Sequence, residues 1–256
     1  MNIFQIIILG IVEGITEFLP ISSTGHLILC SEILKLPQNG FLKSFEIIIQ
    51  SGAIFAVLLL FWRKFLNLEI LKRIFIALLP TAIFGIAFYK IFKNVLMKDS
   101  VVLFSLFFVG LIFIIFELFK KDEKNNINGI LEISYKKSFL IGLFQVISMV
   151  PGVSRSGATI LGGMLLGIKR KTIVEFSFLL AIPTMLGVSF LEGINSFFNF
   201  SLNEFLFLIL GFLVSFLSAF LAVKFFLNFI KKHNFIVFGI YRIIFSVLFW
   251  FFKIVR

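Results

Sequence analysis

Between its polar clusters the chain carries six apolar runs, at roughly 45–62, 72–92, 100–119, 172–191, 205–223 and 235–252. Each is long enough to cross a hydrocarbon core of about 30 Å as a helix. Two further apolar stretches break that pattern. Residues 1–36 are interrupted by Pro20 and by Ser22-Ser23-Thr24, and residues 138–168 by Pro151-Gly152 and Ser154-Arg155-Ser156. Each half of these stretches is too short to span. A short apolar helix, a polar break and a second short helix predict a re-entrant hairpin, whose backbone must be buried in protein or line a wet cavity.

The two hairpins align with each other at a constant offset of 132. Gly10, Ile15, Ser22, Gly25, Ile28 and Leu29 fall on Gly142, Ile147, Ser154, Gly157, Ile160 and Leu161, and Glu13 falls on Gln145. Each half then reads as a hairpin followed by three spans, with halves at approximately 1–120 and 132–256 of a single integral membrane domain. Three spans is an odd number, so the second half must be inverted relative to the first. In that design the binding site lies where broken helices meet near the membrane midplane. The expected fold is an all-α polytopic membrane protein with six transmembrane helices, two re-entrant helical hairpins and two inverted halves.

Composition agrees with this pattern. Of 256 residues, 60% are hydrophobic and 14% charged, where a soluble domain carries about a quarter charged residues. The net charge of +11 does not indicate nucleic acid, because the basic residues cluster between apolar runs. Loops on the side away from the N-terminus hold 15 Lys and Arg, and loops on the N-terminal side hold 7. The positive-inside rule places the richer side in the cytoplasm and both termini outside. The first residues carry no basic region and no cleavage site, so they do not read as a removable signal peptide. The single cysteine, Cys30, excludes an intrachain disulfide and a cysteine metal site.

Ionisable groups at membrane depth are costly and default to a functional reading. The first hairpin holds Glu13, Glu17 and His26 within EGITEFLPISSTGH. Glu13 and Glu17 are four apart and share a helix face. In an apolar setting one of them holds a proton, or both face a cation, or both reach water at the hairpin mouth. A divalent metal such as Mg²⁺ or Ca²⁺ between the pair and an anionic substrate suits the second alternative. Pro20 ends the first short helix, and Ser22, Ser23 and Thr24 open the next, where free N–H groups and hydroxyls make an anion site. Ser23 and His26 lie one helical turn apart, so His26 is placed to accept a proton from Ser23 or from water.

The second hairpin holds PGVSRSGAT, with Arg155 as the only charge between Lys137 and Lys169. An arginine fork beside a helix N-terminus is a phosphate clamp, and Ser154, Ser156, Gly157 and Thr159 flank it. Gln50, Gln145, Glu46 and Glu175 read as supporting hydrogen bonders. Arg242, a few residues into the last span, reads as a side chain that snorkels to water.

EGITEFLPISSTGH at 13–26 and PGVSRSG at 151–157 resemble the two signature motifs of the undecaprenyl-diphosphatase family, the bacitracin-resistance membrane phosphatases. FEIIIQSGAIFAVLLLFW at 45–62, VEFSFLLAIPT at 174–184 and YRI at 241–243 are also similar to family segments, so the resemblance covers nearly the whole chain. It implies hydrolysis of undecaprenyl diphosphate to undecaprenyl phosphate and inorganic phosphate, which recycles the lipid carrier of peptidoglycan and confers bacitracin resistance. It also implies a multi-pass protein of the bacterial inner membrane, an active site facing the periplasm, a divalent cation and often a homodimer. The family's acidic motif falls on Glu13 and Glu17, its serine and histidine on Ser23 and His26, and its arginine motif on Ser154, Arg155 and Thr159. The competing reading is a lipid-phosphate flippase, since inverted repeats with broken helices are also a transporter design.

Overall fold

In the computed structural model, residues 1–91, 99–119, 127–193 and 200–255 are described. Of the basic loop residues, Lys93, Lys98, Lys120, Lys121, Lys124 and Arg256 lie outside that set. The regular structure of the described residues is α-helical, apart from a 3₁₀ turn at Ile130–Glu132 and an isolated bridge between Ile127 and Ile168. The helices are α1 (Ile3–Thr16), α2 (Ser23–Ile33), α3 (Gly40–Phe65), α4 (Leu68–Ile91) and α5 (Asp99–Phe119). They continue as α6 (Tyr135–Ile147), α7 (Arg155–Leu165), α8 (Arg170–Gly193), α9 (Leu202–Phe229) and α10 (Ile236–Val255). Six of them, α3, α4, α5, α8, α9 and α10, are long and apolar enough to cross a membrane. They correspond one to one with the six runs expected from sequence. Large apolar side chains such as Phe75, Ile86, Phe104, Phe190, Leu221 and Leu248 are exposed on their outer faces. In water such a surface would drive aggregation; in lipid it is solvated.

The two short helix pairs, α1–α2 and α6–α7, fold back on themselves. α1 lies against α9 and α3, and α6 lies against α4. Glycine makes the close approach at Gly142, where a Cβ would stand 2.2 Å from the carbonyl oxygen of Ala77 on α4. α5 and α10 cross at Gly110 and Gly239, where a Cβ on either would lie within 2.8 Å of the other's carbonyl oxygen. Small residues permit such contacts where no hydrophobic driving force exists between helices in lipid.

Both pairs break in the same way. Ser22 and Ser154 precede α2 and α7 with φ of 70° and 77°, a region that non-glycine residues enter only when their surroundings impose it. α2 and α7 also end alike. The N–H groups of Lys35 and Leu36 return to the carbonyls of Glu32 and Ser31, and those of Gly167 and Ile168 to Met164 and Gly163. This is the Schellman cap, with Lys35 and Gly167 in the left-handed position at φ 51° and 76°.

The two ends of the bundle differ in charge. One end joins the last turn of α3 and the first turns of α4 and α8. There Lys64 pairs with Glu175, Arg73 with Glu69 at 3.0 Å, and Arg170 with Glu117 at the end of α5. At the opposite end Lys253 of α10 pairs with Glu32 of α2 at 3.2 Å, and Gln5 of α1 donates to the Leu34 carbonyl. Both termini therefore lie away from the basic rim.

Candidate active site

The tips of the two hairpins face each other inside the bundle, over a core of edge-packed aromatics that includes Phe18 and Phe178, 5.3 Å apart. A cleft of about 260 Å³ opens between them. Its lining includes Glu17, Ser22, Ser23 and Thr24 from the first break, and Ser148, Pro151, Gly152, Ser154 and Arg155 from the second. Gln50 of α3, Met149, Thr81 of α4 and Thr184, Met185 and Val188 of α8 complete its wall, and the α4 and α8 residues give its depth. At 1.5 Å per residue these wall positions lie roughly 20–27 Å along their helices from the basic rim. The cleft thus sits in the half of the bundle nearer the termini.

Three side chains form its chemical centre. Ser23 Oγ donates to Glu17 Oε2 at 2.6 Å, and Arg155 Nη2 donates to Glu17 Oε1 at 3.1 Å. One carboxylate therefore joins the hydroxyl of the first hairpin to the guanidinium of the second. Arg155 is held further by the Ser177 carbonyl at 2.9 Å and lies over the Phe18 ring, while its Nε is buried without a partner. Glu17 is the C-cap of α1, and Ser23 and Arg155 are the first residues of α2 and α7. The opening N–H groups of a helix have no intrahelical acceptor, so two helix N-termini converge on the place where an anion would sit.

Glu13 lies one turn below Glu17 and is 1% exposed, with both carboxyl oxygens lacking a hydrogen-bond partner. The carboxyls of Glu17 and Glu46 are within electrostatic range of it. Two unpartnered buried oxygens beside other carboxyls fit a cation, because hard oxygen donors are what Mg²⁺ and Ca²⁺ take. Among the described residues no group of three His, Cys, Asp or Glu side chains could hold a metal by itself. The donor set would then be Glu13 and Glu17 together with oxygens of substrate and water.

Several residues are placed otherwise than the spacing suggests. His26 does not face Ser23. Its Nδ1 lies 2.8 Å from the Ser22 carbonyl, which only accepts, so Nδ1 carries the proton. Its Nε2 lies 2.7 Å from the Tyr241 hydroxyl, and its ring stacks on Phe245. The hydrogen-bond acceptor of Ser23 is Glu17 instead, across the break at the left-handed Ser22. Ser156, expected on substrate, is fully buried and donates to the Leu19 carbonyl of the other hairpin at 2.9 Å. Thr159 is likewise buried, hydrogen-bonded to Ser177, and Gly157 gives its N–H to Ser154 Oγ. Ser22 makes no side-chain cap bond to α2.

Arg242 does not snorkel. It is 0% exposed, and its guanidinium is spent on four backbone carbonyls. Glu175 is taken by Lys64 at the basic rim, far from the cleft. Gln145 is the supporting hydrogen bonder expected of it, donating to Thr81 Oγ1 at 2.8 Å and Thr184 Oγ1 at 3.2 Å. The two threonines were missed, although each follows a proline inside an apolar span. Proline in a transmembrane helix frees a carbonyl, and a hydroxyl beside it marks polar surroundings.

The chain matches the family described as bacitracin resistance protein BacA over residues 6–248. It is 52% identical to an undecaprenyl-diphosphatase of Sulfurihydrogenibium sp. over 250 residues, covering 98% of this chain and 99% of the relative. An undecaprenyl-diphosphatase of Persephonella marina is 49% identical, with 97% and 98% covered, and one of Aquifex aeolicus is 47% identical, with 97% and 98% covered. The family match takes in every residue lining the cleft, and the chain belongs to the bacitracin resistance protein BacA family.

Proposed function

We infer that the chain hydrolyses undecaprenyl diphosphate to undecaprenyl phosphate and inorganic phosphate, as the names of its relatives say of them. The observation that carries this reading is the Ser23–Glu17–Arg155 constellation inside an anion-seeking cleft. Phosphoryl transfer is largely positioning and charge neutralisation. Arg155 and the two helix N-termini supply fixed positive potential for the diphosphate. Ser23 attacks the terminal phosphorus, and its proton passes to Glu17 Oε2. An Oγ–P bond forms, and the bond from phosphorus to the bridging oxygen breaks with its electron pair leaving on undecaprenyl phosphate. Water then attacks the phosphoserine, and the proton on Glu17 returns to Ser23 as inorganic phosphate departs.

A divalent cation on Glu13 and Glu17 belongs to the same reading. Such an ion supplies neutralisation of phosphate charge. Purified protein in detergent should release phosphate from undecaprenyl diphosphate, lose that activity in excess chelator and regain it with Mg²⁺ or Ca²⁺. Full turnover in chelator would leave Glu13 and Glu17 as a proton-sharing pair. A flippase would release no phosphate in detergent, where there is no second compartment.

The topology follows the same line. The matching left-handed serines and Schellman caps, 132 residues apart, support two re-entrant hairpins in an inverted repeat. The basic rim supports a cytoplasmic placement for that end, an outward-facing cleft and a location in the bacterial inner membrane. In a Cys30→Ser background, Lys43→Cys at the start of α3 should react with an impermeant thiol reagent from outside. Asn67→Cys, between α3 and α4 at the basic rim, should not. The reverse labelling would invert the orientation. A homodimer is part of this reading; chemical crosslinking in native membranes tests it.

A further inference from the structure

Arg242 is a charged side chain that the hydrolytic scheme above does not use. It lies midway through the first half of α10, fully buried, and no carboxylate pairs with it in any ion pair among the described residues. Burying a guanidinium in a membrane protein without a counter-ion is costly, and such residues persist when they do something specific. Its partners show what that is. Nη1 donates to the Pro20 carbonyl at 3.1 Å, and Nη2 to the Gly152 carbonyl at 2.6 Å. Nη2 and Nε also reach the Ser105 and Leu106 carbonyls of α5, at 3.4 and 3.3 Å.

Pro20 and Gly152 are 132 positions apart, the separation that relates the two hairpins. Each carbonyl stands two residues before a left-handed serine, Ser22 or Ser154, and so three before Ser23 or Arg155. One rigid fork thus grips the equivalent point of both breaks and ties them to α5. The neighbouring Tyr241 acts on the same turn, because its hydroxyl meets His26, which in turn holds the Ser22 carbonyl. A flexible ammonium has neither the planar spread nor the five donors to reproduce this grip.

We propose that Arg242 is a positioning residue for hydrolysis, which by bridging the Pro20 and Gly152 carbonyls sets Ser23 of one hairpin against Arg155 of the other. The proposal rests on the phosphatase reading. The break backbones carry left-handed serines that unsupported chain would relax, and the nucleophile and its clamp come from different hairpins. Their separation therefore depends on whatever joins the two tips. Apart from the Arg155–Glu17 ion pair of the site itself, the hairpins are tied directly by Ser156 Oγ donating to the Leu19 carbonyl at 2.9 Å.

The test is steady-state kinetics on purified, monodisperse Arg242→Lys, Arg242→Gln and Ser156→Ala, with wild type in the same assay. A displacement of about 1 Å at a reacting pair costs on the order of 100-fold in rate. Arg242→Lys and Arg242→Gln should lose kcat by about that factor with KM within about threefold of wild type, since the cleft that holds the substrate persists. Ser156→Ala should lose less, and combining it with Arg242→Lys should be non-additive, because both ties set one distance. Wild-type kcat in the folded Arg242 variants, with only a lowered Tm, overturns the proposal in favour of a purely structural brace. A raised KM at unchanged kcat overturns it in favour of substrate binding. Failure of both Arg242 variants to accumulate, with Ser156→Ala at wild-type kcat, overturns it too, because the bridge would then serve folding alone. An inactive wild type would instead strike at the phosphatase reading itself.

Discussion

Arg155→Ala is expected to lower phosphate release from undecaprenyl diphosphate by about 10³-fold or more, the scale on which a charge-stabilising arginine acts in phosphoryl transfer. The geometry gives two reasons. The guanidinium is the only cationic side chain lining the cleft among the described residues, and it holds the carboxylate that accepts from Ser23, through Nη2 to Glu17 Oε1 at 3.1 Å. Arg155→Lys should recover little. Lysine keeps the charge but cannot keep Glu17, the Ser177 carbonyl and a phosphate oxygen in one planar fork. Steady-state phosphate release on detergent-purified, monodisperse variants checks this. Near-normal kcat/KM in the alanine variant would remove Arg155 from the site and leave the two helix N-termini as the only anion donors.

The membrane architecture was legible in the sequence because lipid imposes a simple rule: about twenty apolar residues per crossing, with any shorter apolar helix needing a partner. The six spans and the two broken pairs follow from run length alone. Glu17, Ser23 and Arg155 were legible because a polar group at membrane depth stands out against an apolar background. The partners of those groups were not. Spacing puts Ser23 and His26 on one helical side, but spacing assumes helical backbone through the break. The left-handed turn at Ser22 redirects Ser23 to Glu17, six positions back, and His26 to Tyr241, 215 positions on. Arg242 was misread for a related reason. Its distance from the helix end suits snorkelling, and only the folded arrangement brings two carbonyls of α5 and one from each hairpin break to its guanidinium. Ser156 and Thr159 sit in the arginine motif but are fully buried, so adjacency to Arg155 in sequence does not give them a place on the cleft wall.

Removal of the hydroxyl proposed to attack phosphorus carries the second large expected effect. Ser23→Ala should fall by at least about 10³-fold in kcat, since the step that forms the Oγ–P bond is lost rather than weakened. Glu17→Gln should fall comparably, because it removes the proton acceptor 2.6 Å from Ser23 Oγ and leaves Arg155 without its counter-ion. His26→Ala should cost less. His26 touches the Ser22 carbonyl and Tyr241 rather than Ser23, so its loss loosens the turn without removing a proton carrier. An order of severity in which His26→Ala matches Ser23→Ala, while Glu17→Gln retains activity, would restore the histidine to the role that spacing alone suggests.

The covalent state of Ser23 during turnover tests the account most directly. Wild-type protein mixed with undecaprenyl diphosphate labelled in its terminal phosphate, quenched in acid within a turnover and digested, should yield a labelled phosphoryl group on the peptide containing Ser23. It should yield none from Ser23→Ala. An unlabelled Ser23 peptide at every quench time, together with substantial kcat in Ser23→Ala, would contradict the account and give the attack to a water molecule held beside Glu17.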